Sequence, residues 1–120
     1  MLLVDVANVV GSRPDGWWRD RAGATVRLLE RLAGMGSDVV AVVEGRARDV
    51  PAPDGVRVVR APGSGDDAIV EAARALVAEG RPLVVVTADR GLRERLPPGT
   101  SVRGPGWLLD RLDELDAGSA

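Results

Sequence analysis

The chain has 120 residues, 45% hydrophobic and 28% charged, with a formal net charge of −2. That length suits one compact domain, residues 1–120, with no linker or internal repeat, and the charge gives no global pull toward a polyanion. The sequence lacks Cys, His, Lys and Tyr, which excludes disulfides, thiolate or imidazole zinc sites, Ser-His-Asp and Cys-His nucleophiles and lysine Schiff bases.

Any catalysis must then come from carboxylates, arginines, small polar groups, backbone amides and bound metal. Every basic residue is Arg, which grips phosphates but cannot serve as a general base. No apolar run approaches the ~18–20 residues of a membrane span. Met1 leads directly into LLVDV with no basic segment, so neither membrane nor export is expected and the cytoplasm is the default.

Taken in chain order, residues 2–6 (LLVDV) read as a short buried strand interrupted by Asp5, with Asn8 three residues on. GSRPDG at 11–16 is turn chemistry, and apolar spacing predicts a helix over 17–35. VVAVV at 39–43 fits a buried parallel strand, then come the loop EGRARDVPAPDG and a strand at 56–59. Ser64 reads as the N-cap of a helix that ends at Gly80, and LVVV at 83–86 as the fourth strand. Asp89 heads a short helix before Pro97-Pro98. A strand near 101–103 precedes a helix opened by Pro105, with Leu108, Leu112 and Leu115 inward and a frayed tail over 116–120. Continuous apolar strands alternating with amphipathic helices imply an α/β fold, a three-layer parallel sheet of about five strands with helices on both faces. Right-handed crossovers place every strand's C-terminal end on one edge, where such sheets bind ligands.

Acids follow four strands: Asp5, Glu44, the pair Asp66-Asp67, and Asp89. Packed together they would repel one another, and a divalent cation removes that conflict; oxygen donors without His or Cys select Mg²⁺ or Mn²⁺. Each acid also has a structural reading. Ser64-Gly65-Asp66-Asp67 matches a capping box, Asp89 can serve as an N-cap, and Glu44 can be solvated surface. Asp5 lies in a buried run without a capping role, and an unpaired buried charge is costly. Arginines, among them Arg13, Arg46 and Arg90, fall in the same loops and suit a phosphodiester. Trp17 and Trp18 either staple the start of a helix or offer a stacking platform to a nucleobase.

Four short motifs, in order, resemble those of NYN domains, the PIN-like ribonuclease group. Asp5-Val-Ala-Asn8 resembles the D-x-x-N that closes their first strand, and Val42-Val43-Glu44-Gly45 an acid-Gly pair after the second. Gly65-Asp66-Asp67-Ala68-Ile69 resembles the helix start of YacP-like nucleases, and Val86-Thr87-Ala88-Asp89 their motif after the fourth strand. The resemblance spans roughly residues 1–110. It implies a PIN-like sheet of order 3-2-1-4-5 and a ribonuclease using one or two Mg²⁺ or Mn²⁺ ions. On that resemblance, Asp5, Asp66 and Asp89 are the main ligands, with Glu44 where Asp is more usual. Asp67 ligates directly or through water, and Asn8 positions water or substrate. From their own positions rather than the resemblance, Arg13, Arg46 and Arg90 are the expected substrate contacts, with Trp17 where the stacking reading holds. RNA, single-stranded or structured, is the expected partner, and the small size leaves room for a homodimer. Two other readings remain open: a metal-dependent nucleotide pyrophosphohydrolase, and a catalytically weak PIN-like module that binds RNA or protein.

Overall fold

Strands apolar on both faces need cover on both faces, and the computed structural model, which describes residues 1–118, supplies it. Five parallel strands form one sheet: β1 (Leu2–Asp5), β2 (Val39–Val43), β3 (Val56–Arg60), β4 (Leu83–Val86) and β5 (Thr100–Arg103). Their order is β3-β2-β1-β4-β5. The helices between and after them are α1 (Val6–Val10), α2 (Arg21–Ala33), α3 (Gly65–Ala78), α4 (Arg90–Arg95) and α5 (Pro105–Gly118). β1 is central, paired with β2 on one side and β4 on the other. The chain runs outward in one direction from β1 and then returns to build the other half, so the crevice at the β1–β4 boundary is the switch point.

Strand side chains alternate between faces, and that alternation sorts the core. Leu2 and Val4 pack with Leu28, Leu29 and Leu32 of α2 and with Leu108, Leu109 and Leu112 of α5. Leu3 points the other way, to Ile69, Ala73 and Leu76 of α3 and Leu92 of α4. Val40 and Val42 of β2, with Leu83 and Val85 of β4, share the α3 face. The result is three layers, with α1, α2 and α5 on one side and α3 and α4 on the other. Truncating a fully buried leucine here, such as Leu29 or Leu32, would cost about 2–5 kcal/mol in lost transfer energy and cavity formation. Among the described residues no helix is long and apolar enough to cross a membrane.

Three local features depart from the sequence-based expectation. β1 stops at Asp5, and Val6–Val10 forms a helical turn instead of more strand and loop. Val6 and Val9, three residues apart, are each 1% exposed and bury together against the α2–α5 layer. That shared burial overrides the strand preference of VANVV. The helix expected from Trp17 begins at Arg21, because Asp20 caps it by accepting a hydrogen bond from the Gly23 amide at 2.9 Å. Trp17–Arg19 forms a separate 3-10 turn. At the far end, Leu108 and Leu112 are buried but Leu115 is 43% exposed. Residues 116–118 of the expected tail are helical, with Arg31 of α2 paired to Asp116 at 2.8 Å, while 119–120 lie outside the described residues.

Candidate carboxylate site

The alternation that sorts the core also aims the acids. Asp5 continues the side of Leu3, Glu44 that of Val40 and Val42, and Thr87 that of Leu83 and Val85. All three therefore leave the sheet toward the N-terminus of α3, at the C-terminal edge of the strands.

Asp5 is 6% exposed and Thr87 1%. The Thr87 hydroxyl donates to Asp5 Oδ2 at 2.9 Å, and its oxygen accepts the Asp89 amide at 3.1 Å. One hydroxyl thus ties the acid of β1 to the loop after β4. Asp89 in turn caps α4, its Oδ1 accepting the Leu92 amide at 3.0 Å. Asn8, on the turn after Asp5, accepts the Ala88 amide on its Oδ1 at 2.9 Å. It braces the same loop from the other side.

Glu44 reaches across to α3, where its Oε2 accepts the Gly65 amide at 2.7 Å. Gly65 leaves room for that approach: a Cβ there would stand 2.9 Å from the Glu44 carboxyl carbon and would make the carboxylate shift. Ser64 caps the same helix more weakly, through the Asp66 amide at 3.3 Å. Asp67 does not close a capping box. It is turned to Arg95 of α4, 2.7 Å away. Among the described residues the Asp66 carboxylate has no hydrogen-bond or ion-pair partner.

The electrostatics follow. Burial pushes the Asp5 carboxyl from 3.8 up to about 6. The Thr87 hydroxyl and the Asn8 backbone amide, which faces the carboxyl without closing a cap hydrogen bond, pull it down, and the charges of Asp66 and Glu44 push it up further. Asp66 is raised too, first by desolvation and then by Asp89 and Glu44, with Arg95 opposing. The carboxylates thus feel one another across the edge of the sheet.

A cation would relieve that repulsion. The donor set is carboxylate oxygen alone, the chemistry of a hard ion such as Mg²⁺ or Mn²⁺, and Asp66 is unengaged. The acids are not closed into a cage: among the described residues no group of three acid side chains is drawn to ligating distance. One oxygen each of Asp5, Glu44 and Asp89 is already committed to a hydrogen bond.

The structure therefore gathers Asp5, Asn8, Glu44, Asp66 and Asp89 at one edge and leaves Asp67 on its rim in an ion pair. Arg90 opens α4 beside Asp89 and is exposed, and Arg46 is exposed in the 3-10 turn Gly45–Ala47 after Glu44. Arg13 is elsewhere, drawn to α5 by Asp113 at 3.0 Å and Asp110 at 3.9 Å. Trp17 is half-buried; its ring edge lies against Gly11 and the Arg21 guanidinium sits 5.1 Å over its face. Two residues that sequence reasoning did not assign to the site, Thr87 and Gly65, belong to it. The alternation of β4 was the available signal for Thr87.

A parallel sheet of order 3-2-1-4-5, with helices on both faces and acids at its C-terminal edge, defines this chain as a doubly wound α/β domain. No protein-family model and no curated protein matches its sequence. Among solved structures it is similar to Rae1 (YacP) from Bacillus subtilis, with a TM-score of 0.79 and 19% identity over 98% of this chain and 75% of that one. A Trp-to-Leu mutant of the same protein gives a TM-score of 0.72 and 21% identity, over 97% of this chain and 76% of that one. The fold is YacP-like, as the four motifs implied, and at these identities the likeness is one of fold.

Proposed function

We propose that this protein is a metal-dependent ribonuclease that hydrolyses RNA phosphodiester bonds at the C-terminal edge of its sheet. One observation carries the reading: a buried carboxylate, Asp5, is held beside the unpartnered Asp66 and the charge of Glu44, at the switch point of the sheet. Such an arrangement makes sense as a receptor for positive charge. The motif resemblance to YacP-like nucleases and the YacP-like fold support the choice of substrate.

Asp5, Asp66 and Asp89, with Glu44 alongside, would hold one or two Mg²⁺ or Mn²⁺ ions. Bound there, a divalent ion supplies Lewis acidity and makes water nucleophilic near neutral pH, which a chain without His needs. The protein's own groups do the positioning. Thr87 fixes the Asp5 carboxyl and the Asp89 backbone, and Asn8 fixes the loop between them. Arg90 and Arg46 are exposed beside the acids and would take phosphate oxygens. Asp67, paired with Arg95, sets the charge at the rim. RNA of the cytoplasm is the substrate this reading implies.

The test is a cleavage screen of RNA and of nucleoside triphosphates with Mg²⁺ and Mn²⁺, run beside Asp5→Asn and Asp66→Asn. Metal-dependent RNA cleavage, lost in both folded variants, is the expected result. Triphosphate hydrolysis without RNA cleavage would replace the reading with a pyrophosphohydrolase. Activity retained in both variants would remove the assigned site.

A further inference from the structure

Among the described residues only two large hydrophobic side chains are exposed, Trp18 at 52% and Leu115 at 43%. A single exposed apolar residue is ordinary. Trp18 differs in how it is held and what surrounds it.

The turn that carries it is fixed at both ends. Gly16 adopts φ 87°, a left-handed backbone that glycine takes without strain, and the Trp17 amide donates to Asp15 Oδ1 at 3.2 Å. The Arg19 amide donates back to Gly16 at 3.0 Å and the Asp20 amide to Trp17 at 3.2 Å. Trp17 packs inward against Gly11 under Arg21, and Trp18 stands edge-on to it, ring centres 6.0 Å apart at 86°. Trp17 is the staple and Trp18 the displayed ring.

Trp18 lines a groove of ≈ 440 Å³ together with Arg19, Asp20, Arg21 and Arg46. A second cleft of ≈ 310 Å³ is lined by Glu44, Arg46, Arg21 and Trp17 together with residues of α1 and α2. The two share Arg21 and Arg46 and so adjoin as one track, and Glu44, whose carboxylate belongs to the acid edge, lines the second. Among the described residues no carboxylate pairs with Arg19, Arg21 or Arg46. Asp20 is the track's one acid besides Glu44, and its Oδ1 is engaged with the Gly23 amide of α2. An aromatic platform beside a file of unpaired arginines is the recognition chemistry of a single nucleic-acid strand: ring faces take bases and guanidinium groups take phosphates. A duplex, whose bases are stacked within, cannot use the platform.

We infer that this track is a single-strand binding site. One base of the RNA stacks on Trp18, and the phosphates between that base and the carboxylate edge run past Arg19, Arg21 and Arg46. The inference rests on the nuclease reading for the choice of RNA as the strand.

The experiment measures binding of oligouridylate, about ten nucleotides long, to the whole protein in EDTA, where cleavage is off. Fluorescence anisotropy of an end-labelled strand reads the affinity in every variant, and quenching of intrinsic tryptophan fluorescence reads stacking where Trp18 is present. Quenching on binding is expected, with affinity about tenfold weaker in Trp18→Ala and nearly restored in Trp18→Phe. Trp107→Phe, on α5, should leave affinity and quenching as in the wild type. Arg46→Ala should make the salt dependence shallower by about 0.7 in log–log slope. The same strand annealed to oligoadenylate should bind weakly and without quenching. Wild-type affinity in Trp18→Ala, or equal binding of the duplex, would overturn the inference. RNA cleavage by the wild type with binding unchanged in Trp18→Ala would sink the track and leave the nuclease standing. Binding that depends on Trp18 with no cleavage under either metal would support the track and sink the nuclease.

Discussion

Replacing Asp5 by Asn should stabilise the metal-free protein at neutral pH while abolishing the proposed nuclease activity. In the folded chain the carboxyl is 6% exposed and titrates at about 6, against 3.8 for a free Asp side chain. The folded state therefore holds this proton more tightly than the unfolded one. The stabilisation this provides is complete below about pH 4 and is lost as the pH rises through about 6. At 1.36 kcal/mol per pH unit, the interval corresponds to about 3 kcal/mol at pH 7.5. Asn carries no charge to desolvate and keeps an acceptor for the Thr87 hydroxyl, so the variant should escape most of that penalty. Other acids tilt the absolute profiles: Asp38 and Asp113 are held low by Arg81 and by Arg13 and Arg31, and favour stability at higher pH. The decisive quantity is the difference between variant and wild type, measured by urea unfolding in EDTA at several values from pH 4.5 to 7.5. Across that window it should climb by about 2 kcal/mol in favour of the variant and level off above pH 7. A flat difference, or one that falls with pH, would refute the account of Asp5 as a buried, destabilising charge.

Millimolar Mn²⁺ should raise the urea midpoint of the wild type and not that of Asp5→Asn, since only a ligand-binding native state gains by mass action; an equal rise in both would remove Asp5 from the metal site. Thr87→Val should cost about 1–3 kcal/mol by stranding a buried carboxylate oxygen and the Asp89 amide, and should move the Asp5 titration above 6, with Thr87→Ser close to wild type in both. Gly65→Ala should push the flexible Glu44 carboxylate off the α3 amide, and since Ala is the better helix former the loss of that cap should show as a net cost below about 1 kcal/mol, seen as a small fall in thermal midpoint. Arg95→Ala removes an ion pair between side chains 47% and 72% exposed, so its effect on stability should stay below about 1 kcal/mol by urea unfolding.

Much of this architecture was legible in the residues. Four apolar runs, the Ser64 and Asp89 caps and the Pro105 helix start all stand where patterning put them, because each is a local preference that burial reinforces. The misreadings have a common cause. Val6–Val10 is too short and too β-branched to announce a helix, and only the joint burial of Val6 and Val9 makes it one. Trp17 looked like the start of a helix because its apolar ring fits the periodicity, yet the cap belongs to Asp20. Convergence of the acids followed from counting strands, whereas the partner of each acid did not. Asp67 meets Arg95 across two helices, and Arg13 meets Asp113 one hundred positions away. Such pairings depend on how helices pack, which no local pattern encodes.

The central place of β1 has a consequence for how the protein is made. Its first neighbour, β2, emerges from the ribosome early, but the bonds that brace its end, Thr87 to Asp5 and Ala88 to Asn8, join residues 82 and 80 positions apart. Closing so long a loop is entropically slow, and the reward comes only when β4 slots in beside β1. Until then the nascent chain carries half a sheet, with an uncovered strand edge and Asp5 without its brace. A site whose residues lie on both sides of that seam is incomplete in a partial product. The carboxylate edge is in this sense assembled only once β4 is in place, and the exposed edge of β1 is where the unfinished sheet is open to mispairing.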